Sequence, residues 1–308
     1  MQERNVQAAE AGAGDAGTPA DTAARGFALA LTAYLLWGVL PIYMKAVAYI
    51  PAIEVLAHRI VWSVPIAGAV LLALGRTDDV RAAFRSPRTL AMVALTASLI
   101  TVNWGTYVWA IGVGRTVETA LGYYINPLVT VLLGAVFLGE RLTRMQMAAV
   151  GLAVLAVVLL TVEQGGLPWV SLVLAFSFAA YGFFRKTLPI GPSQGFFLEV
   201  VLLTPVAAGY IFWLALHDTG HFLNGSAGLL LLAGPVTAVP LIIYAFSVRL
   251  LRISSIGLMQ YITPTMIAII AVFVFGEPFG AARLAAFGLI WTALVLYTWS
   301  TLRARREA

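Results

Sequence analysis

The sequence contains no cysteine. Disulfides, thiolate metal sites and thiol nucleophiles are therefore excluded. Charge is scarce too: Asp, Glu, Lys and Arg make up 11% of the 308 residues, against about 25% in a soluble domain. A water-soluble fold of this length would have too little here to cover its surface. Lysine is almost absent, with only Lys45 and Lys186 beside the arginines. No Walker A loop occurs, which argues against a primary pump. Residues 1–25 hold no apolar run and hence no signal-peptide core, so they read as a short disordered cytoplasmic tail.

What the chain has in excess is apolar length. Hydrophobic residues make up 61% of it, and the mean hydropathy is +0.91. A bilayer core of about 30 Å takes roughly 20 apolar residues per helix. Ten spans meet that need: 26–44, 52–74, 89–111, 116–138, 145–162, 167–187, 194–216, 226–248, 253–275 and 280–302. Lipid offers no partner to a free backbone N–H or C=O, and the spans lack barrel-strand alternation, so all ten are expected to be helices. The polar stretch 75–88 is expected to be a loop.

Lys and Arg set the expected orientation. With the N-terminus inside, the tails and even loops hold 15 of them, from Arg4 to Arg306, and the odd loops hold three: Lys45, Arg115 and Arg283. Both termini are then cytoplasmic, in a multi-pass protein of a bacterial inner membrane. The net charge of +5 reflects these loops, and no nucleic-acid partner is implied.

The chain also repeats itself. Residues 115–161, moved forward by 137 positions, fall on 252–298 without a gap and with 15 identities in 47 positions. Arg115 falls on Arg252, Tyr124 on Tyr261 and Pro127 on Pro264; the pair Gly139-Glu140 falls on Gly276-Glu277. The period is too long for a solenoid and points to two related halves. With five spans each, the halves have opposite orientations. The expected organisation is a tail over 1–25, a first repeat over 26–162, a second over 163–302 and a basic tail over 303–308. Inverted repeats are frequent in secondary transporters, with the binding site near the bilayer midplane.

Polar groups inside the spans are the candidate functional residues. Pro127 and Pro264 interrupt spans 4 and 9, because proline cannot donate to the carbonyl four residues back. Tyr123, Tyr124 and Asn126 surround the first break, and Gln260, Tyr261 and Thr263 the second. Tyr107 in span 3 falls on Tyr244 in span 8, with Asn103 and Trp104 a turn before Tyr107. These ten polar and aromatic residues are the expected cavity lining. In span 2, Glu54, His58 and Trp62 share a helical face, and Arg59 is placed to hold an anionic group or neutralise Glu54. Two gates are expected: Glu54 with Arg115 or Lys45 at the outer end, and Glu199 with Arg252 or Lys186 at the inner end. Glu118 and His58 are candidates for proton coupling. His217 and His221, four apart in a Gly-containing loop, make a poor metal pair, and neither metal nor cofactor is expected.

Several runs resemble a known family. They are Glu54-Val-Leu-Ala-His-Arg-Ile-Val-Trp-Ser63, Asn103-Trp104 with Tyr107, Leu121-Gly-Tyr-Tyr-Ile-Asn-Pro-Leu128, and Gln260-Tyr-Ile-Thr-Pro264 with Gly276-Glu277. Together they resemble the RarD branch of the EamA family, within the drug/metabolite transporter superfamily, over nearly the whole chain after residue 25. Tyr124 and Thr263 stand where the family pattern leads one to expect Phe and Ala. The resemblance implies a ten-helix permease of two inverted repeats, all-α, moving a small molecule across the bilayer. The expected function is secondary active transport of a small polar or drug-like metabolite, coupled to protons or exchange. A homodimer remains open. The competing readings are a membrane enzyme acting on lipid-linked substrates and a passive channel or scramblase.

Overall fold

The computed structural model of the chain describes residues 19–138, 142–250 and 259–304. Among them the helices are α1 (Pro19–Ala46), α2 (Ala52–Ala73), α3 (Thr77–Phe84), α4 (Pro87–Gly112), α5 (Thr116–Leu138) and α6 (Arg144–Gln164). There follow α7 (Trp169–Thr187), α8 (Pro192–Leu216), α9 (Ala227–Leu250), α10 (Ile262–Ile269) and α11 (Ala281–Ala304). A π-turn over Phe222–Ser226 leads into α9, and another over Ile270–Val274 extends α10. Among the described residues eight helices are long and apolar enough to cross a membrane, and two shorter apolar ones, Trp169–Arg185 and Ile262–Val274, bring the number to ten. The protein is an all-α, multi-pass membrane protein.

Burial is inverted relative to a soluble fold. Large apolar side chains such as Phe273, Val206 and Val162 face outward, more than 75% exposed, while Glu54, His58, Arg59 and Asn103 are buried. Lipid accepts the first group and would penalise the second.

Two stretches differ from the sequence reading. α1 begins at Pro19, so residues 19–25 are helical and continue the first span. The stretch 75–88 contains the amphipathic helix α3. Its Val80 and Ala83 pack on Leu71, Val93, Leu188 and Leu198, while Asp78 and Arg81 pair at 3.3 Å on its exposed face. Eight residues with three charges are too few and too polar to register as a span, yet enough to bury two apolar side chains.

The packing respects the repeat. Under exchange of halves α1 maps on α7, α2 on α8, α4 on α9, α5 on α10 and α6 on α11. The pairs α2–α8, α5–α10 and α6–α11 all pack directly and map onto themselves. The remaining main contacts come in exchange-related couples: α5–α7 with α10–α1, α4–α7 with α9–α1, and α2–α9 with α8–α4. Five spans per half make this an inverted repeat. One end of the bundle carries the N-terminal start of α1 and the end of α11, and is called the tail end here. The opposite, distal end carries residues 47–51, 113–115, 217–226 and 276–280.

Small residues permit the closest crossings. A Cβ on Gly234 of α9 would overlap the Trp62 carbonyl of α2, and one on Gly122 of α5 would lie 2.8 Å from the Ser171 carbonyl of α7. Neither obstacle is a flexible side-chain tip. By contrast Gly151 and Gly288, a matched pair in α6 and α11, would meet nothing within 4 Å. Gly234→Ala and Gly122→Ala are therefore expected to destabilise the protein by about 1–3 kcal/mol through overpacking. Gly151→Ala should be neutral or stabilise by roughly 0.5–1 kcal/mol through helix propensity. Thermal unfolding in detergent would read both. Equal midpoints for all three variants would contradict the crossings.

Candidate functional site

α2 carries a buried polar face. Glu54, His58, Arg59 and Ser63 are all at most 3% exposed. Spacings of four residues stack Glu54 under His58 and Arg59 under Ser63, whose hydroxyl donates to the Arg59 carbonyl at 2.6 Å. The Arg59 guanidinium lies 4.9 Å from the centre of the Trp104 ring on α4. Its Nε donates to Thr237 Oγ1 of α9 at 3.0 Å. Its Nη1 is buried without a hydrogen-bond partner. The phenols of Tyr107, Tyr123 and Tyr43 are close enough to interact with its charge. Among the described residues no carboxylate forms an ion pair with Arg59.

Two of these phenols are occupied and one is free. Tyr43 donates to the Leu229 carbonyl at 2.8 Å, and Tyr123 to Asn103 Oδ1 at 3.1 Å. Asn103 is fixed in turn by donating to the Leu174 carbonyl and Ser177 Oγ on α7. The Tyr107 hydroxyl is buried and has no partner; its ring lies 5.9 Å from that of Tyr123. At 1.5 Å per residue, Arg59, Tyr107 and Tyr123 sit about 8–10 Å in from the distal helix ends. Thr237 sits about 15 Å in, close to the middle of a ~30 Å core. An unpaired buried cation in this setting is costly.

At the distal end two carboxylates accept from backbone donors. Glu54 accepts from the His221 N–H at 2.6 Å and from His221 Nδ1 at 2.8 Å. Tyr49 and Ser226 share a hydrogen bond at 2.9 Å. Phe222 stacks on His58 at 5.1 Å and on Trp62 at 5.9 Å, and Trp62 Nε1 donates to His58 Nδ1. Beneath this cover lies a cavity of about 100 Å³ lined by Glu54, His58, Leu214 and Phe222. Elsewhere at this end, Glu277 accepts from the Thr116 and Val117 N–H groups, both at 2.8 Å. Those are orphan donors of the first turn of α5. Gly276, at φ +67, turns the chain so that Glu277 reaches them.

The charged partners thus differ from the expected ones. Glu54 pairs with His221 rather than with Arg115 or Lys45. Arg115 binds Glu118, three residues on, at 2.6 and 2.8 Å, and stacks over Trp109 and Trp169. Lys45 lies over the Phe275 ring at 5.5 Å. Near the tail end, Glu199 accepts from Tyr181 at 3.2 Å and pairs with Arg185 at 3.4 Å. Arg252, together with Glu140, lies outside the described residues.

Eight of the ten expected cavity residues fall into three groups, and Asn126 and Gln260 stand apart. Asn103, Trp104, Tyr107 and Tyr123 gather around Arg59. Tyr244 stands apart, in an aromatic trio with Tyr34 and Trp37 at 5.4–5.8 Å; nearby Thr263 donates to the Tyr34 carbonyl at 2.9 Å. Tyr124 bonds to Thr265, stacks on Tyr261 and meets Phe287 and Trp291 of α11. Asn126 donates to the Ala175 carbonyl at 3.0 Å, tying α5 to α7. Gln260 is half-buried in the turn before α10. Pro264 occupies the first turn of α10, where no N–H is needed, whereas Pro127 sits inside a continuous α5.

The sequence reading missed Thr237, Tyr43, and the capping role of Glu277. Only Glu277 left a signal, through the repeated Gly-Glu pair. One further run, Gly191-Pro192-Ser193-Gln194-Gly195, has the Gly-x-Ser-x-Gly spacing of serine hydrolases. A nucleophile elbow needs a strand before it. Here α7 precedes it, and Ser193 donates to Gln194 Oε1 at 3.0 Å. No metal-holding cluster occurs among the described residues.

Comparison with known proteins agrees with the geometry. Residues 24–162 match the EamA-like transporter family. The chain is 42% identical to Protein RarD of Streptomyces exfoliatus, over 90% of this chain and 89% of that one. It is 39% identical to Protein RarD of Escherichia coli (strain K12), over 92% and 97%. It is 33% identical to a protein of Pseudomonas aeruginosa described as chloramphenicol-sensitive protein RarD, over 92% and 96%. A solved crystal structure, 21% identical, shares the fold with a TM-score of 0.55 over 92% of this chain and 98% of that one. Identity at this level over nearly the full length, on a scaffold of two inverted five-helix halves, shows that the chain belongs to the RarD branch of the EamA-like transporter family.

Proposed function

We propose that the protein is a secondary active transporter working by alternating access, which exports a small polar or drug-like metabolite. The observation that carries this reading is the Arg59 cluster, a buried polar site at bilayer depth between the two exchange-related halves. Relatives at 37–40% identity that are described as transporters support transport as the activity class. The 15-to-3 distribution of basic residues supports a bacterial inner-membrane protein with both termini in the cytoplasm. The distal end is then the periplasmic side. The contacts Glu54–His221, Tyr49–Ser226 and Glu277 on the start of α5 support reading this as a state closed on that side. The two five-helix halves, 26–162 and 163–302, are the units that rock against each other.

Coupling is assigned to carboxylates inside the spans. Glu54 and Glu199 sit near opposite ends of α2 and α8, two helices that pack together. Protonation of either removes the charge that holds its partner, which ties gate opening to a proton or to exchange. A pH gradient across liposomes carrying the purified chain should drive saturable accumulation of a transported compound. Amino acids, nucleosides and amphenicols form the first panel. Glu54→Gln and Glu199→Gln are each expected to abolish accumulation above equilibrium. Flux that ignores the gradient in all three proteins would replace this mechanism with a channel or scramblase.

The cysteine-free chain permits a direct test of the closed side. Tyr49→Cys with Ser226→Cys puts one thiol on each side of this contact, for a short bis-methanethiosulfonate linker to span the length the lost phenol leaves. Cross-linking should reduce transport by more than tenfold, and reductant should restore it. Unaltered transport in a fully cross-linked sample would show that this closure need not open.

A further inference from the structure

The Arg59 cluster has the chemistry of a receptor for one kind of group. Two buried donors face no acceptor: Arg59 Nη1 and the Tyr107 hydroxyl. Both residues are only 3% exposed. They come from different helices, α2 and α4, and each is immobilised by its surroundings. Arg59 is fixed by Thr237 and by the Trp104 ring. Tyr107 is packed against Tyr123, which Asn103 holds. A helix bundle meant only to be stable would pair such groups or replace them by apolar ones. We propose that Arg59 and Tyr107 bind the carboxylate of an amphipathic monocarboxylate substrate, whose apolar body lies against Trp104 and the Tyr107–Tyr123 pair.

Charge selects the carboxylate. Arg59 is the one cation placed in the cluster among the described residues, since Lys45 and Arg115 lie over Phe275, Trp109 and Trp169. One buried positive charge balances a monoanion. A phosphomonoester dianion would leave a net buried negative charge, and an amine would leave two unpaired cations. The free guanidinium N–H and the phenol O–H supply two donors for two carboxylate oxygens. The aromatic walls suit a substrate body that is flat and weakly polar. The repeat does not supply a second such site: with Pro65 of α2 set on Pro205 of α8, Glu199 falls where Arg59 stands. One carboxylate per protein is therefore expected.

This inference rests on the transport reading for its substrate role, but binding tests it separately. The full chain in nanodiscs is titrated with phenylacetate, indole-3-acetate and hexanoate, and with phenylacetamide, phenethylamine and phenylphosphonate as counterparts. Thermal midpoint and calorimetry are the readouts. At least one monocarboxylate should bind saturably with 1:1 stoichiometry and raise the midpoint. Its amide and amine counterparts should bind at least tenfold more weakly, as should the phosphonate dianion. Tyr107→Phe should weaken carboxylate binding about tenfold, as expected for a hydrogen bond to a charged group, and Arg59→Gln should abolish it. Tyr107→Phe removes one oxygen and provides the decisive comparison if Arg59→Gln does not fold. The proposal is overturned if no monocarboxylate binds, if the amides bind equally, or if Tyr107→Phe leaves carboxylate affinity unchanged. Flux of a neutral or cationic compound without carboxylate binding would retain transport and reject this site. Carboxylate binding without flux of any compound would do the reverse.

Discussion

The interaction on which the distal architecture depends is a buried carboxylate accepting from backbone N–H groups at a helix start. Lipid cannot satisfy the first N–H groups of a helix, so each start near the bilayer needs a partner. Glu277, just after the π-turn that extends α10, satisfies Thr116 and Val117 at the start of α5. Glu54, on α2, satisfies His221 before α9. In both cases the acceptor comes from one half of the chain and the donor from the other. The halves are thus joined by contacts that are strong while dry and replaceable when water enters. Apolar packing alone would give no such dependence on hydration. An open distal end must hydrate both carboxylates, and this couples its geometry to the access of water.

Symmetry governs the scaffold and stops at the chemistry. The exchange of halves maps the helix contacts onto one another, and Tyr107 onto Tyr244. Yet Tyr107 faces the Arg59 cluster, while Tyr244 sits in a trio with Tyr34 and Trp37. The difference traces to α2, whose Glu54, His58 and Arg59 fall on Gln194, Leu198 and Glu199 of α8 when Pro65 is set on Pro205. A duplicated scaffold supplies two related ways of packing. One helix face, altered in one copy, supplies the polar site. On the proposed reading, function is carried by a departure from the repeat, and the repeat makes that departure visible.

Much of the fold was legible because lipid imposes a simple rule on sequence. Long apolar runs had to be helices, and the repeated Pro, Gly-Glu and Arg positions disclosed two halves. The short helix α3 was not legible, since eight residues with charges on one face give no span signal. At the site, sequence located the participants better than their partners. Helical spacing put Asn103, Trp104 and Tyr107 together, and Arg59 was singled out for its charge. Pairings across the chain were beyond reach: Arg59 with Thr237, Glu54 with His221 and Glu277 with Thr116 are separated by 178, 167 and 161 residues. Arg115 illustrates the converse. Glu118 satisfies it locally, three residues away, so the long-range pairing that matched ends suggested had no free group to use.

Magnitudes decide whether these contacts are enough to act as gates. A hydrogen bond to a charged group is worth about 1.5–3 kcal/mol net. Two carboxylate latches, at Glu54 and Glu277, therefore bias the closed state by roughly 3–6 kcal/mol if each counts once. Moving a two-state equilibrium from 1:99 to 99:1 takes about 5.5 kcal/mol. The latches together are of that size, and neither alone reaches it. Neutralising one would shift the populations by about ten- to a hundredfold without committing the protein to the open state. A device built this way responds to two events in combination, such as loss of one latch charge and occupation of the buried site. Under the proposed mechanism, alternating access would draw on that property, which contacts of ordinary strength used in pairs can supply.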